Sequence, residues 1–311
     1  MAKRPTWYKT DVQLSARMFI TMLLLGVLYT AFILVLWYIG VNFILLLVIA
    51  AIILGIQLFY ADKIALFSMN AREVSPAEAP QLHALIDRLA AQANLPKPRV
   101  AIVNTNLPNA FATGRSKKHA VIAVTTGLLD RLNTQELEAV LAHELTHIIN
   151  RDMVVMTIAM FISMVASLLV NSLMWGAMFG GFGGGRRGGG RNDEGGAAIA
   201  LVLLAALVVQ AVSFVLIRTL SRYREYAADR GSALITGEPG NLSSALMRIE
   251  GTIESGRIPD RDLRQAQGVS ALMIMPAVRG ESVMELFSTH PSLEHRIERL
   301  QRIQKQMEAP R

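Results

Sequence analysis

Leu137-Glu138-Ala139-Val140-Leu141-Ala142-His143-Glu144-Leu145-Thr146-His147-Ile148 carries two patterns at once. Apolar Leu137, Val140, Leu141, Leu145 and Ile148 recur at i, i+3 and i+4, the stripe of an amphipathic helix. Superposed on it is His143-Glu144-x-x-His147. Residues four apart share a helix face, so both imidazoles can reach one metal ion, and Glu144 can touch a water held beside it. Two neutral imidazole nitrogens suit a Zn²⁺ shell, and a neighbouring carboxylate can take the proton of that water. The competing reading is a pair of surface histidines beside a solvated glutamate.

Composition narrows the setting. The 311 residues are 52% hydrophobic and 18% charged, and mean hydropathy is +0.37, which is unlike an ordinary soluble domain. No charged residue occurs from Met18 to Ala61, a run long enough for two spans of about 20 residues each. Trp37-Tyr38-Ile39-Gly40-Val41-Asn42 reads as the interfacial turn between them. The run is too long for a cleaved signal peptide and lacks a small-x-small site, so it is read as a retained anchor. Two further uncharged runs, Met153–Gly185 and Gly195–Ile217, give a second hairpin and four spans in all.

Most of the basic residues flanking these spans lie on one side. Lys3, Arg4, Lys9 and Arg17 precede the first, Lys63 and Arg72 follow the second, and Arg218, Arg222 and Arg224 follow the fourth. The positive-inside rule then places both termini and the histidine helix in the cytoplasm. Arg186, Arg187 and Arg191 on the other side, partly offset by Asp193 and Glu194, are a mild breach that leaves open a second hairpin not fully crossing the membrane. The net charge of +7 fits basic residues facing anionic lipid, so the bilayer is the expected partner. Zero cysteines exclude a disulfide scaffold and thiolate zinc sites. The Gly/Arg-rich loop 180–196 resembles an RNA-binding segment in composition alone and is read as a flexible connection, with no nucleic acid partner.

The chain therefore divides into a basic N-terminus (1–17), a first hairpin (18–60), a soluble part (61–152), a second hairpin (153–217) and a second soluble part (218–311). In the first soluble part, Ser75-Pro76-Ala77-Glu78 reads as a capping box opening a helix to about Ala93. Val100–Val103, Ala110–Thr113 and Ala120–Thr125 read as strands of a small sheet, with Gly114–Lys118 as a hairpin loop. Asn133 or Thr134 caps the histidine helix, which shows no stop signal before the third span. His147 then lies only about 9 Å along the axis from that span, which puts the site at the membrane surface. In the second soluble part, Arg222–Ile235 reads as a helix ended by Thr236-Gly237, and Asn241 caps another to about Ser255. Leu272-Met273-Ile274-Met275 reads as core. A last helix from Ser292 reads as a solvated amphipathic cover.

Two histidines leave a zinc site short of a protein ligand. Without cysteine the third is His, Asp or Glu, and Glu225 is the best placed. It follows the fourth span as the histidine helix precedes the third, so the hairpin returns it to the same depth. Asp229, one turn later, could accept the outer N–H of a ligating histidine. The alternative for Glu225 is a juxtamembrane ion pair with Arg218 or Arg222.

His143-Glu144-Leu145-Thr146-His147 followed by Asn150-Arg151-Asp152, the segment Ser221-Arg222-Tyr223-Arg224-Glu225-Tyr226-Ala227-Ala228-Asp229, and Thr289-His290-Pro291-Ser292 together resemble the HtpX membrane metalloproteases. These are bacterial relatives of the CAAX prenyl endopeptidases, zinc peptidases whose third ligand is Glu. The resemblance covers nearly the whole chain, including Asn109-Ala110-Phe111-Ala112-Thr113-Gly114. It implies an α+β, zincin-like and mainly helical protease domain with a small sheet, attached to four membrane helices. It further implies one Zn²⁺ on His143, His147 and Glu225, with Glu144 as general base and His290 stabilising the oxyanion. Asn109, Ala110, Phe111 and Ala112 would form the sheet edge along which a substrate chain pairs. The implied substrates are membrane proteins with unfolded or exposed cytoplasmic segments, cut at the bacterial inner membrane in quality control. His83, His119 and His295 match no position of the pattern and are read as surface or packing residues.

A transporter would carry charged residues inside its spans, and these runs have none. A non-catalytic scaffold of the same fold would be expected to lack Glu144.

Overall fold

The structure, a computed structural model, describes residues 11–38, 43–178, 193–255, 258, 259, 262, 274 and 290–309. Two long apolar helices come first, α1 (Val12–Tyr38) and α2 (Phe43–Ser68). They extend past the uncharged run at both ends, because helix formation needs only backbone pairing while the bilayer boundary is set by charge. The Ile39–Asn42 part of the expected turn and most of the Gly/Arg-rich loop lie outside the described residues.

A four-stranded sheet follows, ordered β1-β2-β4-β3. Its strands are β1 (Arg72–Glu73), β2 (Arg99–Val103), β3 (Ala110–Thr113) and β4 (Val121–Thr125). The sequence reading placed three of these and missed β1, whose two residues carry no periodicity. β2 and β4 are parallel, with Arg99 opposite Val121 and Val103 opposite Thr125. β3 runs antiparallel to β4, with Phe111 opposite Ala123. Among the described residues β3 pairs on one side only, and its four residues are buried.

Helix α3 spans Pro80–Gln92 and starts later than the capping box suggested. Glu78 does bond the backbone N–H of Ser75 at 2.7 Å and its hydroxyl at 2.9 Å. Together with the Glu78 N–H donating to Ser75 O at 3.1 Å, these bonds close a turn, and Pro80, which needs no N–H partner, opens the helix instead. After β4 come the short α4 (Thr126–Leu129) and the histidine helix α5 (Thr134–Asn150). Asn133 caps α5 in a capping box with Glu136, each side chain answering the other's backbone N–H.

The expectation of an unbroken helix from α5 into the third span is corrected at Arg151. That residue adopts the left-handed conformation, φ 57°, and closes α5. The chain then bends by 60° into α6 (Asp152–Met178). Helix α7 (Asp193–Thr236) shows the reverse: the fourth apolar run and the Glu225 segment are one helix of 44 residues, with no break near residue 217. It stops at Gly237, φ 77°, where glycine accommodates the left-handed turn. Helix α8 (Pro239–Glu254) begins two residues before Asn241, again with proline in the first turn. The last helix is α9 (Leu293–Glu308), capped by Ser292.

Two apolar cores result. One joins the sheet to α3, α5, α8 and α9, through residues such as Phe111, Val124, Leu141, Leu246 and Leu300. The other lies among α1, α6 and α7, around Tyr29, Phe32, Ala159, Ala206 and Leu220. There the Tyr29 hydroxyl donates to Ala159 O at 2.7 Å. The outer faces of the apolar helices stay bare, with Phe19 69% and Phe67 88% exposed, as side chains facing hydrocarbon would be. Among the described residues three helical stretches, Val12–Tyr38, Ala51–Ser68 and Ala200–Thr236, are long and apolar enough to cross a membrane.

Candidate metal centre

Helices α5 and α7 build the site by crossing closely. A Cβ on Gly231 of α7 would lie 2.3 Å from the Thr146 side chain of α5, so only glycine fits there. Next to it the Ser232 hydroxyl donates to Ala139 O at 2.6 Å. This contact holds the two axes together at one point. Asp229, less than one turn earlier on α7, and Glu225, about two turns earlier, are thereby brought opposite His143 and His147.

The resulting cluster is compact. His143 Nε2 and His147 Nε2 face each other at 3.2 Å. Glu225 Oε2 lies 3.5 Å from the first and Glu225 Oε1 3.6 Å from the second. On a tetrahedral zinc with bonds of about 2.0–2.1 Å, ligand atoms lie about 3.3–3.4 Å apart, so the three residues already have the spacing of one ion's shell. His290 Nδ1 and Arg296 Nη1 approach Glu225 Oε2 at 3.6 and 3.7 Å. All three approaches are too long to satisfy this buried oxygen.

Each imidazole is backed by a carboxylate on its outer nitrogen. His143 Nδ1 is 3.0 Å from Asp229 Oδ1, and His147 Nδ1 is 2.6 Å from Asp152 Oδ2. Each carboxylate is held in turn by a buried guanidinium. Arg296 grips Asp229 with two bonds of 2.6 and 3.0 Å, and Arg224 Nε lies 3.0 Å from Asp152 Oδ1. Four buried carboxylates, those of Glu144, Asp152, Glu225 and Asp229, thus face two buried arginines. The shortfall in positive charge is visible at His143 on α5: burial opposes its protonation, but Asp229 and Glu225 outweigh that and raise its pKa to about 9. A divalent cation between the imidazoles would meet the same demand, so the donor set and the charge both fit a metal ion.

Glu144, next to His143 on α5, is 1% exposed. Burial raises its pKa, opposed by the charges of His147 and His143 and by the Ala112 backbone N–H that bonds it. Ala112 belongs to the edge strand β3, so the general-base candidate and the candidate substrate edge touch. A small cavity beside His147 is lined by Ala112, Thr113 and Gly114 on one side and by Arg151 and Val154 on the other.

The structure brings His143, Glu144, His147, Glu225, Asp229 and His290 into one cluster. It also shows what the sequence reading left out. The motifs give Asp152 no role and Arg224 only a place among the flanking basic residues, and the charge pattern puts Arg296 on a solvated helix face, although both arginines are buried. A signal existed for Asp152, since two ligating histidines call for two outer-nitrogen acceptors and Asp229 can serve only one. Arg296 gave none within its charge-mixed helix. Asn109 is fully buried and turned inward: its Oδ1 accepts from Ala110 N at 2.8 Å and Ile274 N at 3.0 Å. Its backbone is paired with Thr125 as well, so Asn109 braces the end of the strand. Ile274 is core, as expected for its run; Leu272, Met273 and Met275 lie outside the described residues. Of the other histidines, His83 is buried against Val74 O at 3.0 Å, while His119 and His295 bond nearby serines at the surface.

A zinc-spaced His-His-Glu cluster at the foot of apolar helices, with a buried glutamate against a sheet edge, defines a membrane metallopeptidase. Comparison with known proteins agrees. Residues 76–304 match the sequence profile of peptidase family M48, and the chain belongs to that family. It is 58% identical over 97% of its length, and 98% of the relative's, to a protein described as "Protease HtpX homolog" from Moorella thermoacetica. It is 52% identical over 96% of its length to "Protease HtpX homolog 2" from Methanosarcina mazei, covering 98% of that chain. The fold resembles that of S. mikatae Ste24p, with a TM-score of 0.56 at 19% identity, covering 93% of this chain and 67% of that one.

Proposed function

We propose that this metalloendopeptidase uses zinc and cleaves membrane proteins in segments exposed at the cytoplasmic face of the cytoplasmic membrane, in quality control. The observation that carries the reading is the contact between Glu144 and Ala112, which sets the base candidate beside the strand that a substrate would extend. His143, His147 and Glu225 would hold the ion. When bound, zinc supplies Lewis acidity toward the scissile carbonyl and makes water a better acid.

The chain's own residues do the rest. Glu144 takes the proton of the attacking water and passes it to the leaving amine; its burial raises its basicity toward that task. His290, 1% exposed beside Glu225, donates toward the oxygen that gains charge. Asp152 and Asp229 fix the tautomers and planes of the two histidines. Ala110, Phe111 and Ala112 offer the sheet edge to an extended substrate. Four spans follow from taking α6 as the third, with its base at the Arg151 bend and residues 195–217 of α7 as the fourth. The basic residues flanking them favour the cytoplasmic orientation.

The test is cleavage of an unfolded model membrane substrate by detergent-purified protein, wild type beside Glu144→Gln, with zinc quantified in both. Cleavage by the wild type alone, with zinc on both, is the expected result. Full activity in the variant would sink the mechanism, and absence of zinc from the wild type would sink the ligand assignment.

A further inference from the structure

Outside the metal centre, a groove with its own chemistry lies where α2 leaves its apolar run and meets the sheet. It encloses about 590 Å³. Ile52, Ile56, Phe59, Tyr60 and Lys63 of α2 line it, and their spacing of four, three, one and three puts them on one helix face. Chemistry changes steadily along that face, from aliphatic through aromatic to cationic. Eleven residues separate Ile52 from Lys63, about 16 Å of helix, which matches one leaflet of hydrocarbon at about 15 Å.

The cationic end is completed by the loop after β3. Arg115 stacks over Phe59 at 5.0 Å and Lys63 over Tyr60 at 5.3 Å, which aims both cations at the same mouth. His119 joins them, 3.3 Å from Arg115 Nη2. The carboxylate lining the groove, Asp62, is answered by Arg99, which also binds Glu73 at 2.6 Å. Among the described residues neither Lys63 nor Arg115 has a carboxylate partner. A groove about 16 Å long, with two cations lacking a carboxylate partner at one end and aliphatic side chains at the other, is complementary to an anionic amphiphile.

We propose that this groove is a binding site for an anionic glycerophospholipid, its phosphate between Lys63, Arg115 and His119 and an acyl chain along Ile52 and Ile56. The lipid would sit against the 114–120 loop, whose Gly114, Ser116 and Ala120 also line the small cavity beside His147. The proposal needs α2 to span the membrane and does not depend on the peptidase reading.

The test uses the full chain, delipidated in detergent and titrated with dioleoyl phosphatidylglycerol, dioleoyl phosphatidylcholine or inorganic phosphate, with bound lipid read by native mass spectrometry. Phosphatidylglycerol should bind about tenfold or more tightly than phosphatidylcholine. Lys63→Gln with Arg115→Gln should erase that preference, while Arg302→Gln with Lys305→Gln, on the exposed face of α9, should leave it intact. Ile56→Trp, which fills the aliphatic end and keeps every charge, should weaken phosphatidylglycerol and decides the matter if the double variant does not fold. Equal binding of the two lipids, equal losses from both double variants, or a preference that survives Lys63→Gln with Arg115→Gln would overturn the proposal. Phosphate binding that competes with the lipid and is untouched by Ile56→Trp would mark a free-anion site and overturn it too.

Discussion

His147 Nδ1 lies 2.6 Å from Asp152 Oδ2, and the contact exists because α5 breaks at Arg151. In a continuous helix, five residues advance by about 140° around the axis, which would turn residue 152 away from residue 147. The left-handed turn at Arg151 folds the carboxylate back onto the imidazole and sets the direction of α6 in the same step.

Asp152→Asn should therefore weaken metal binding by about 10–100-fold, read by competition against a chelator of known affinity. Asp152→Glu should recover part of the loss. Unchanged affinity in the Asn variant would mean that the pair only anchors the bend.

The pair formed by Arg296 and Asp229 separates stability from metal binding. Arg296→Met leaves Asp229 buried without its guanidinium and should lower stability by about 3–5 kcal/mol. Arg296→Met combined with Asp229→Leu removes both charges and should regain most of that in thermal unfolding. The double variant should still bind metal about 10–100-fold more weakly, because His143 loses its acceptor. If the double variant is no more stable than the single one, the cost of Arg296→Met does not come from the stranded Asp229 carboxylate.

Gly231→Ala tests the crossing that assembles the site. Its Cβ would meet Thr146 at 2.3 Å, and the strain should cost about 1–3 kcal/mol. Adding Thr146→Ala should return part of it, since Thr146 Cγ2 and Oγ1 are the closest atoms. A Gly231→Ala protein with wild-type unfolding and activity would show that the helices can separate without consequence.

Chelation should abolish cleavage and lower the unfolding midpoint together. An ion at about 100 times its dissociation constant adds about 2.7 kcal/mol to the folded state, and Glu144→Gln should show the same drop, since Glu144 is not a ligand in this reading. A midpoint that ignores chelation would argue against a bound ion.

The absence of cysteine makes topology directly measurable. Single substitutions Ala2→Cys, Gly188→Cys and Pro310→Cys, probed in intact cells with a membrane-impermeant maleimide, should label at position 188 and not at 2 or 310. Labelling of all three, or of none, would contradict two full hairpins with both termini inside.

Residues near in sequence determined much of this protein. The His143–His147 spacing, the Asn133 cap, the three longer strands and the apolar runs are local patterns, set by helix periodicity, backbone alternation and hydrophobicity. Glu225 could be reached as well, because a hairpin of spans has a predictable return depth. What only the tertiary structure decided depends on contacts between distant residues or on single backbone angles. The left-handed Arg151 gives Asp152 its partner, Gly231 admits Thr146, Asn109 bonds Ile274 across 165 positions, and Arg296 crosses 67 positions to Asp229. A charged residue on a mixed helix looks the same in sequence whether water or a buried carboxylate receives it, and packing makes that choice.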